Sequence, residues 1–106
     1  MSGKHPVRVN ITDWIPGRGG GKDAKLNTPA DIHQLPLEEV TIGEAFKENG
    51  YATYYTGKWH LGSLPEHGPN HFGFDHSYGS LAGGVSPWNH RYKQGPFTQT
   101  WHRDEK

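Results

Sequence analysis

Scarcity of large aliphatic side chains is what most constrains how this chain folds. Leu, Ile, Val and Phe together number 18 of 106 residues, or 17%, below the roughly 20% at which a chain struggles to build a core of its own. Domains usually run to roughly 100 to 200 residues, so there is room for one domain at most, or for part of one. Disorder is the usual alternative for such a composition, but it calls for a high net charge. Here 11 basic residues balance 11 acidic ones, and aromatics reach 12%. The composition is that of a folded but underfilled chain.

The same numbers narrow the partners. Zero net charge removes the basic footprint of a nucleic-acid binder. No stretch approaches the ~18 consecutive apolar residues of a membrane span. Without cysteine there is no disulfide framework, no thiolate zinc site and no thiol nucleophile. Met1 to Ile11 is interrupted by Lys4, His5, Pro6, Arg8 and Asn10, so it lacks the apolar stretch of a signal peptide. Eight histidines stand out as side chains able to change charge or bind metal near neutral pH.

Val7, Val9 and Ile11 alternate with Arg8, Asn10 and Thr12, which predicts a short half-buried strand, with Pro6 confining it to an edge or an extended segment. Gly17 to Gly21 and then Lys22 to Asp31 have no period and read as a surface loop. A glycine-rich phosphate cradle is the alternative there, but its Gly-Lys-Ser/Thr ending and preceding buried strand are missing. Thr41 stands three residues before Glu44, the spacing of a capping box, and predicts a helix over Ile42 to Glu48. Ile42, Ala45 and Phe46 then share an apolar face while Glu44, Lys47 and Glu48 turn to water. Asn49-Gly50 supplies the left-handed C-terminal cap, and Tyr51 to Thr56 has the aromatic and β-branched composition of a strand. Helix, glycine turn and strand make half of an α/β layer unit. Beyond Gly62, closely spaced Gly and Pro predict long loops. Their aromatics, Phe72, Phe74, Tyr78, Trp88, Tyr92, Phe97 and Trp101, are numerous enough to require something to pack against.

The loop Gly57-Lys58-Trp59-His60-Leu61-Gly62 follows the predicted strand, and ligand sites of α/β sheets collect at the carboxyl ends of strands. If the backbone stays extended, Lys58 and His60 point to one side and Trp59 to the other. An ammonium beside an imidazole suits a tetrahedral oxyanion, Lys58 offsetting its charge and His60 moving a proton. A solvated lysine with a hydrogen-bonded structural histidine is the commoner meaning of an arbitrary Lys-x-His. His60, His67, His71 and His76 lie close enough in sequence to suggest zinc, copper or nickel. Their spacings fit neither a finger nor His-Glu-x-x-His, which favours scattered structural or substrate-rim roles. Asp75 is a turn-capping aspartate or a calcium ligand, the former being the usual use of Asp in such turns.

The string Gly50-Tyr51-Ala52-Thr53-Tyr54-Tyr55-Thr56-Gly57-Lys58-Trp59-His60-Leu61-Gly62 resembles the second signature of the sulfatase family. Ser2-Gly3-Lys4-His5-Pro6-Val7-Arg8-Val9 with Ile11-Thr12-Asp13-Trp14, and Gly73-Phe74-Asp75-His76-Ser77-Tyr78-Gly79, are similar to two flanking stretches of that family. The resemblance spans Ser2 to about Tyr92 and is weakest over Gly17 to Ile32 and after Gly95. It implies an α/β fragment of an alkaline-phosphatase-like sulfatase domain, with one helix-strand unit followed by long loops. Residues 1–106 would be a partial N-terminal catalytic domain. It implies an arylsulfatase-type sulfuric ester hydrolase whose substrate is a sulfated small molecule or glycan. Lys58 would contact both sulfate and nucleophile, and His60 would hydrogen-bond a formylglycine and take its proton. The family's formylglycine and its calcium ligands are expected outside this chain, so no metal ligand is assigned within it. The remaining partner is then the rest of the sulfatase fold, with no nucleic acid and no membrane. A periplasmic or extracellular location follows from the resemblance.

Two other readings compete: a noncatalytic, aromatic-rich module that binds a glycan or partner chain, and a phosphate-ester hydrolase of the same superfamily. The Trp59-His60-Leu61-Gly62 ending disfavours the second. Two site residues cannot replace a covalent nucleophile and its metal, so the isolated 106-residue chain is expected to show no turnover. With a chromogenic aryl sulfate and added calcium, it should match a Lys58→Ala, His60→Ala double variant. Turnover well above that variant's would overturn the fragment reading.

Overall fold

The computed structural model describes residues 1–15, 22–27, 29–86, 88 and 101–106. The helix required by the capping box is present as α1, Ile42–Glu48. The Glu44 amide donates to Thr41 Oγ1 at 3.3 Å and the Thr41 amide donates to Glu44 Oε2 at 2.7 Å, so two orphan donors of the first turn satisfy each other. The helix closes in a Schellman arrangement. Gly50 takes φ +81°, its amide bonds to the Lys47 carbonyl at 3.0 Å, and the Tyr51 amide to the Phe46 carbonyl at 3.1 Å. The rings of Phe46 and Tyr51 meet edge to face across this cap, 5.2 Å apart, the apolar contact that usually accompanies it.

The face that α1 presents to the rest of the chain differs from the expected one. Ile42 and Phe46 are about half exposed, and Gly43 is the buried position. A Cβ at Gly43 would lie 2.5 Å from the Phe72 carbonyl oxygen, and one at Gly73 2.1 Å from the Glu44 nitrogen. Backbone therefore packs directly on backbone at the start of α1. There the Thr41 hydroxyl donates to the Phe72 carbonyl at 2.6 Å from a fully buried position.

Strand β1 is Tyr54–Lys58, later than the expected Tyr51 to Thr56. Thr53 is diverted from the ladder: its amide and hydroxyl both bond to Asp75 Oδ2 at 3.1 Å and the hydroxyl also donates to the Gly73 carbonyl. Pairing therefore starts only at Tyr54 opposite His76. Strand β2, His76–Ser80, runs parallel to β1, and β3, Trp101–Arg103, antiparallel to β2. Among the described residues this gives one mixed sheet in the order β1-β2-β3.

Two sequence expectations are corrected here. Val7 to Ile11 is no strand, because Pro6–Val9 forms a 3₁₀ turn with Pro6 in its first turn and the His5 ring accepting from the Val7 amide. Fixed proline φ and a side-chain cap favour a turn start, and they override the short alternation. Beyond Gly62 the chain is also more ordered than a run of loops: 3₁₀ turns at Pro65–His67 and Pro69–Phe72 carry it from β1 to β2. Of the predicted surface loop, Gly17 to Gly21 lies outside the described residues, and the described part of Lys22 to Asp31 holds no helix or strand.

Val9, Leu35, Trp59, Phe72 and Phe74 form the core, with Ile11, Tyr55, Leu61 and Leu81 packed around it. Trp59 lies 5.2 Å from Tyr55 and 5.4 Å from Phe72, ring centre to ring centre. The aromatics after Gly62 therefore divide. Phe72 and Phe74 fill this core, whereas Tyr78 and Trp88 face outward; Tyr92 and Phe97 lie outside the described residues. Exposed Ile42, Phe46, Tyr51 and Tyr54 flank a core this small, so the isolated chain is expected to bind a hydrophobic dye and to melt without a cooperative transition. A sharp two-state transition above roughly 60 °C would show instead that it closes its own core.

Candidate functional site

The loop that carries the candidate residues emerges where β1 ends against β2. Backbone bonds continue past Lys58, from the Trp59 amide to the Ser80 carbonyl at 2.8 Å and from the His60 amide to the Leu81 carbonyl at 2.9 Å. Trp59 points into the core as expected, 4% exposed, and its indole N–H donates to the His67 carbonyl at 2.7 Å. Lys58, the last residue of β1, is exposed, and its ammonium makes no ion pair among the described residues. Its carbonyl accepts from the Tyr55 hydroxyl, whose pKa is raised by burial.

His60 departs from the extended geometry expected of it. Its φ is +55°, in the left-handed region that residues other than glycine seldom enter. The strand alternation that would have set Lys58 and His60 side by side therefore ends at Trp59. The His60 ring instead turns toward the N-terminal segment, where Nε2 lies 2.6 Å from the carbonyl oxygen of buried Ile15. His60 lines a cavity of about 450 Å³ with Leu64, His71, Leu81 and Trp101; Lys58 is not part of that lining. Ile15, Leu81 and Gly83 were not legible as site residues, since none belongs to a motif and all are brought to His60 by long-range folding.

The other histidines scatter. His67 is buried with Nδ1 against the Leu35 carbonyl at 3.1 Å, His71 faces Glu105 at 3.8 Å, and His76 faces Asp104 at 3.6 Å. Among the described residues no three His, Cys, Asp or Glu side chains come together to hold a metal. Asp75 ties the helix-strand unit together. Besides Thr53, it meets the Lys47 ammonium at 2.8 Å. It is therefore a structural carboxylate but not the turn cap expected of it, because it binds the backbone amide of Thr53, 22 positions away, rather than its own turn.

Against known proteins, the Sulfatase family model matches residues 17–105. Human arylsulfatase A is 37% identical over 98 residues, covering 91% of this chain and 16% of its own length. Mouse arylsulfatase G is 44% identical over 76 residues, 70% of this chain and 14% of its own. The solved structure of Ps i-CgsB superposes with a TM-score of 0.73 at 26% identity, over 100% of this chain and 24% of that one. A structure of Ps i-CgsB in complex with k-i-k-neocarrahexaose gives 0.66 at 32% identity over 88% and 18%. The chain belongs to the sulfatase family and has its α/β, alkaline-phosphatase-like fold, and it spans 11% to 16% of the length of the curated relatives it matches.

Bonds from Lys47 and Thr53 hold the Asp75 carboxyl well below its usual value of 3.8, at about 2. Because the folded value is the lower one, the stabilisation is complete above the unfolded value and is lost as pH falls from about 4 to about 2. In the intact protein, Asp75→Asn is expected to lower the denaturant midpoint by a constant amount near neutrality. That gap should close across the same acid window; a gap independent of pH down to about 2 would show that the carboxylate charge is not what Thr53 and Lys47 bind.

Proposed function

We propose that residues 1–106 form part of the N-terminal catalytic domain of an arylsulfatase-type sulfuric ester hydrolase acting on a sulfate monoester. Family membership over residues 17–105 carries this reading, and it is supported by the position of Lys58 and His60 at the carboxyl end of a parallel strand. That is where open α/β sheets place ligands. Lys58 contacts the transferring sulfuryl group, its exposed ammonium, without an ion pair among the described residues, offsetting negative charge that grows in the transition state. His60 accepts and returns a proton at its ring.

Formylglycine and calcium are implied by the family resemblance, but the residues described do not form a site for either. The chain has no cysteine, and no metal-holding group occurs among the described residues. On this reading the nucleophile and the cation are assigned to other parts of the enzyme, as the family resemblance implies. A sulfated glycan is the favoured substrate class, supported by the neocarrahexaose bound to a structural relative. A periplasmic or extracellular location fits such a substrate. No helix among the described residues is long and apolar enough to cross a membrane.

In the complete enzyme that carries this stretch, Lys58→Ala is expected to lower kcat by about 100- to 1,000-fold. His60→Ala is expected to lower it by about 100- to 10,000-fold. Both are measured with a chromogenic aryl sulfate and, in parallel, a sulfated oligosaccharide. Wild-type kcat/KM in both variants would remove Lys58 and His60 from the site.

A further inference from the structure

We propose that His60 divides its ring nitrogens between two tasks: Nε2–H is a fixed donor to the Ile15 carbonyl, and Nδ1 alone moves the proton. Ile15 and Gly83 are then positioning residues for His60. The inference rests on the catalytic role proposed for His60 and adds which atom acts and what holds it.

The argument begins at the 2.6 Å contact between Nε2 and the Ile15 carbonyl oxygen. A carbonyl oxygen can only accept, so Nε2 must carry the hydrogen, and in the neutral ring the lone pair is left on Nδ1. A hydrogen bond at one imidazole nitrogen fixes the tautomer at the other in this way. The acceptor is itself anchored, since Ile15 is buried. Nδ1 has no hydrogen-bond partner among the described residues, and the ring borders the cavity.

Gly83 removes the remaining freedom of the ring. A Cβ at that position would lie 2.8 Å from His60 Cε1 and 3.3 Å from Nδ1, so bare backbone packs against the imidazole. Gly83 does not have the positive φ that most of the described glycines take. Its lack of a side chain is therefore a matter of space, and alanine there perturbs the ring rather than the backbone. With the ring held on both sides, the step is simple. A hydroxyl proton passes to the Nδ1 lone pair, the electron pair of the broken O–H bond stays on oxygen, and the imidazolium keeps its bond to Ile15. The proton later leaves from Nδ1 to water or to a departing oxygen.

Three variants and one spectrum of the complete enzyme test this. With histidines labelled by nitrogen-15, long-range proton-nitrogen correlations of the wild type are expected to show the Nε2–H tautomer for neutral His60. In Gly83→Ala they are expected to show a mixture of tautomers, with kcat lowered, KM little changed and the acid limb of the kcat profile displaced. His60→Gln keeps an amide donor within reach of the Ile15 carbonyl and is expected to melt near the wild type while losing about 100- to 10,000-fold in turnover. His60→Asn suits the left-handed backbone but is too short to reach Ile15; it should lose turnover to the same degree and melt lower. An Nδ1–H tautomer in the wild type overturns the division of tasks and leaves the role of His60 standing. Full turnover in His60→Gln, with the Nε2–H tautomer confirmed in the wild type, overturns the catalytic role instead.

Discussion

Burial of the Trp59 indole is the interaction on which this structure depends. The ring is the meeting point of elements that come from separate parts of the sequence: Tyr55 of β1, Phe72 of the second 3₁₀ turn after the sheet's first strand, and Phe74 before β2. Each fills space that the few aliphatic side chains cannot. Aromatic groups bury a large area each and prefer tilted or edge-on contacts, so five core residues suffice to seat the sheet. The indole N–H is satisfied by the His67 carbonyl, which removes the penalty of burying it unpaired. Trp59 lies between Lys58 and His60, so the anchor of the core is also the pivot of the candidate site.

What was legible in the sequence was local. Thr41, Glu44, Asn49 and Gly50 make bonds to neighbours within a few residues, and from them both ends of α1 could be read as they stand in the structure. The burial of Trp59 next to exposed Lys58 also followed, because it needs only one step of strand alternation. The failures were long-range. Thr53 has good strand composition, yet Asp75 and Gly73 take its polar groups, and nothing near Thr53 announces them. Strand β2, His76-Ser77-Tyr78-Gly79-Ser80, has poor intrinsic strand composition and exists because β1 and β3 pair with it. In the N-terminal segment, alternation at Val7, Val9 and Ile11 was outweighed by proline geometry and by the His5 cap.

The candidate site divides in the same manner. That Lys58 and His60 lie at a strand end could be read from the glycine-bounded loop after an aromatic run. Their relative placement could not, because it depends on one dihedral angle. Among the described residues, three other than glycine take positive φ: Asn10, His60 and Asp104. Asn and Asp have short side chains that bond nearby backbone and tolerate this region, and Asn10 caps the 3₁₀ turn. For His60 the cost, on the order of 1–2 kcal/mol for a residue with a Cβ, is offset from outside the loop. Its amide bonds to Leu81 and its ring to Ile15.

A residue held in a sparsely populated conformation persists only when its surroundings over-determine it, and such residues concentrate where a side chain must be aimed. His60 meets that condition from three directions: backbone pairing to Leu81, a ring bond to Ile15 and the bare backbone of Gly83. Lys58 is held only through its backbone, opposite Ser80 at the end of β1. It leaves β1 into open surroundings with no ion pair among the described residues. The two neighbours therefore suit different chemistry. A positive charge acts over several ångströms and tolerates a mobile carrier, whereas proton transfer requires hydrogen-bond reach of about 3 Å. Rigid placement is built around the imidazole, the group whose proposed chemistry needs it.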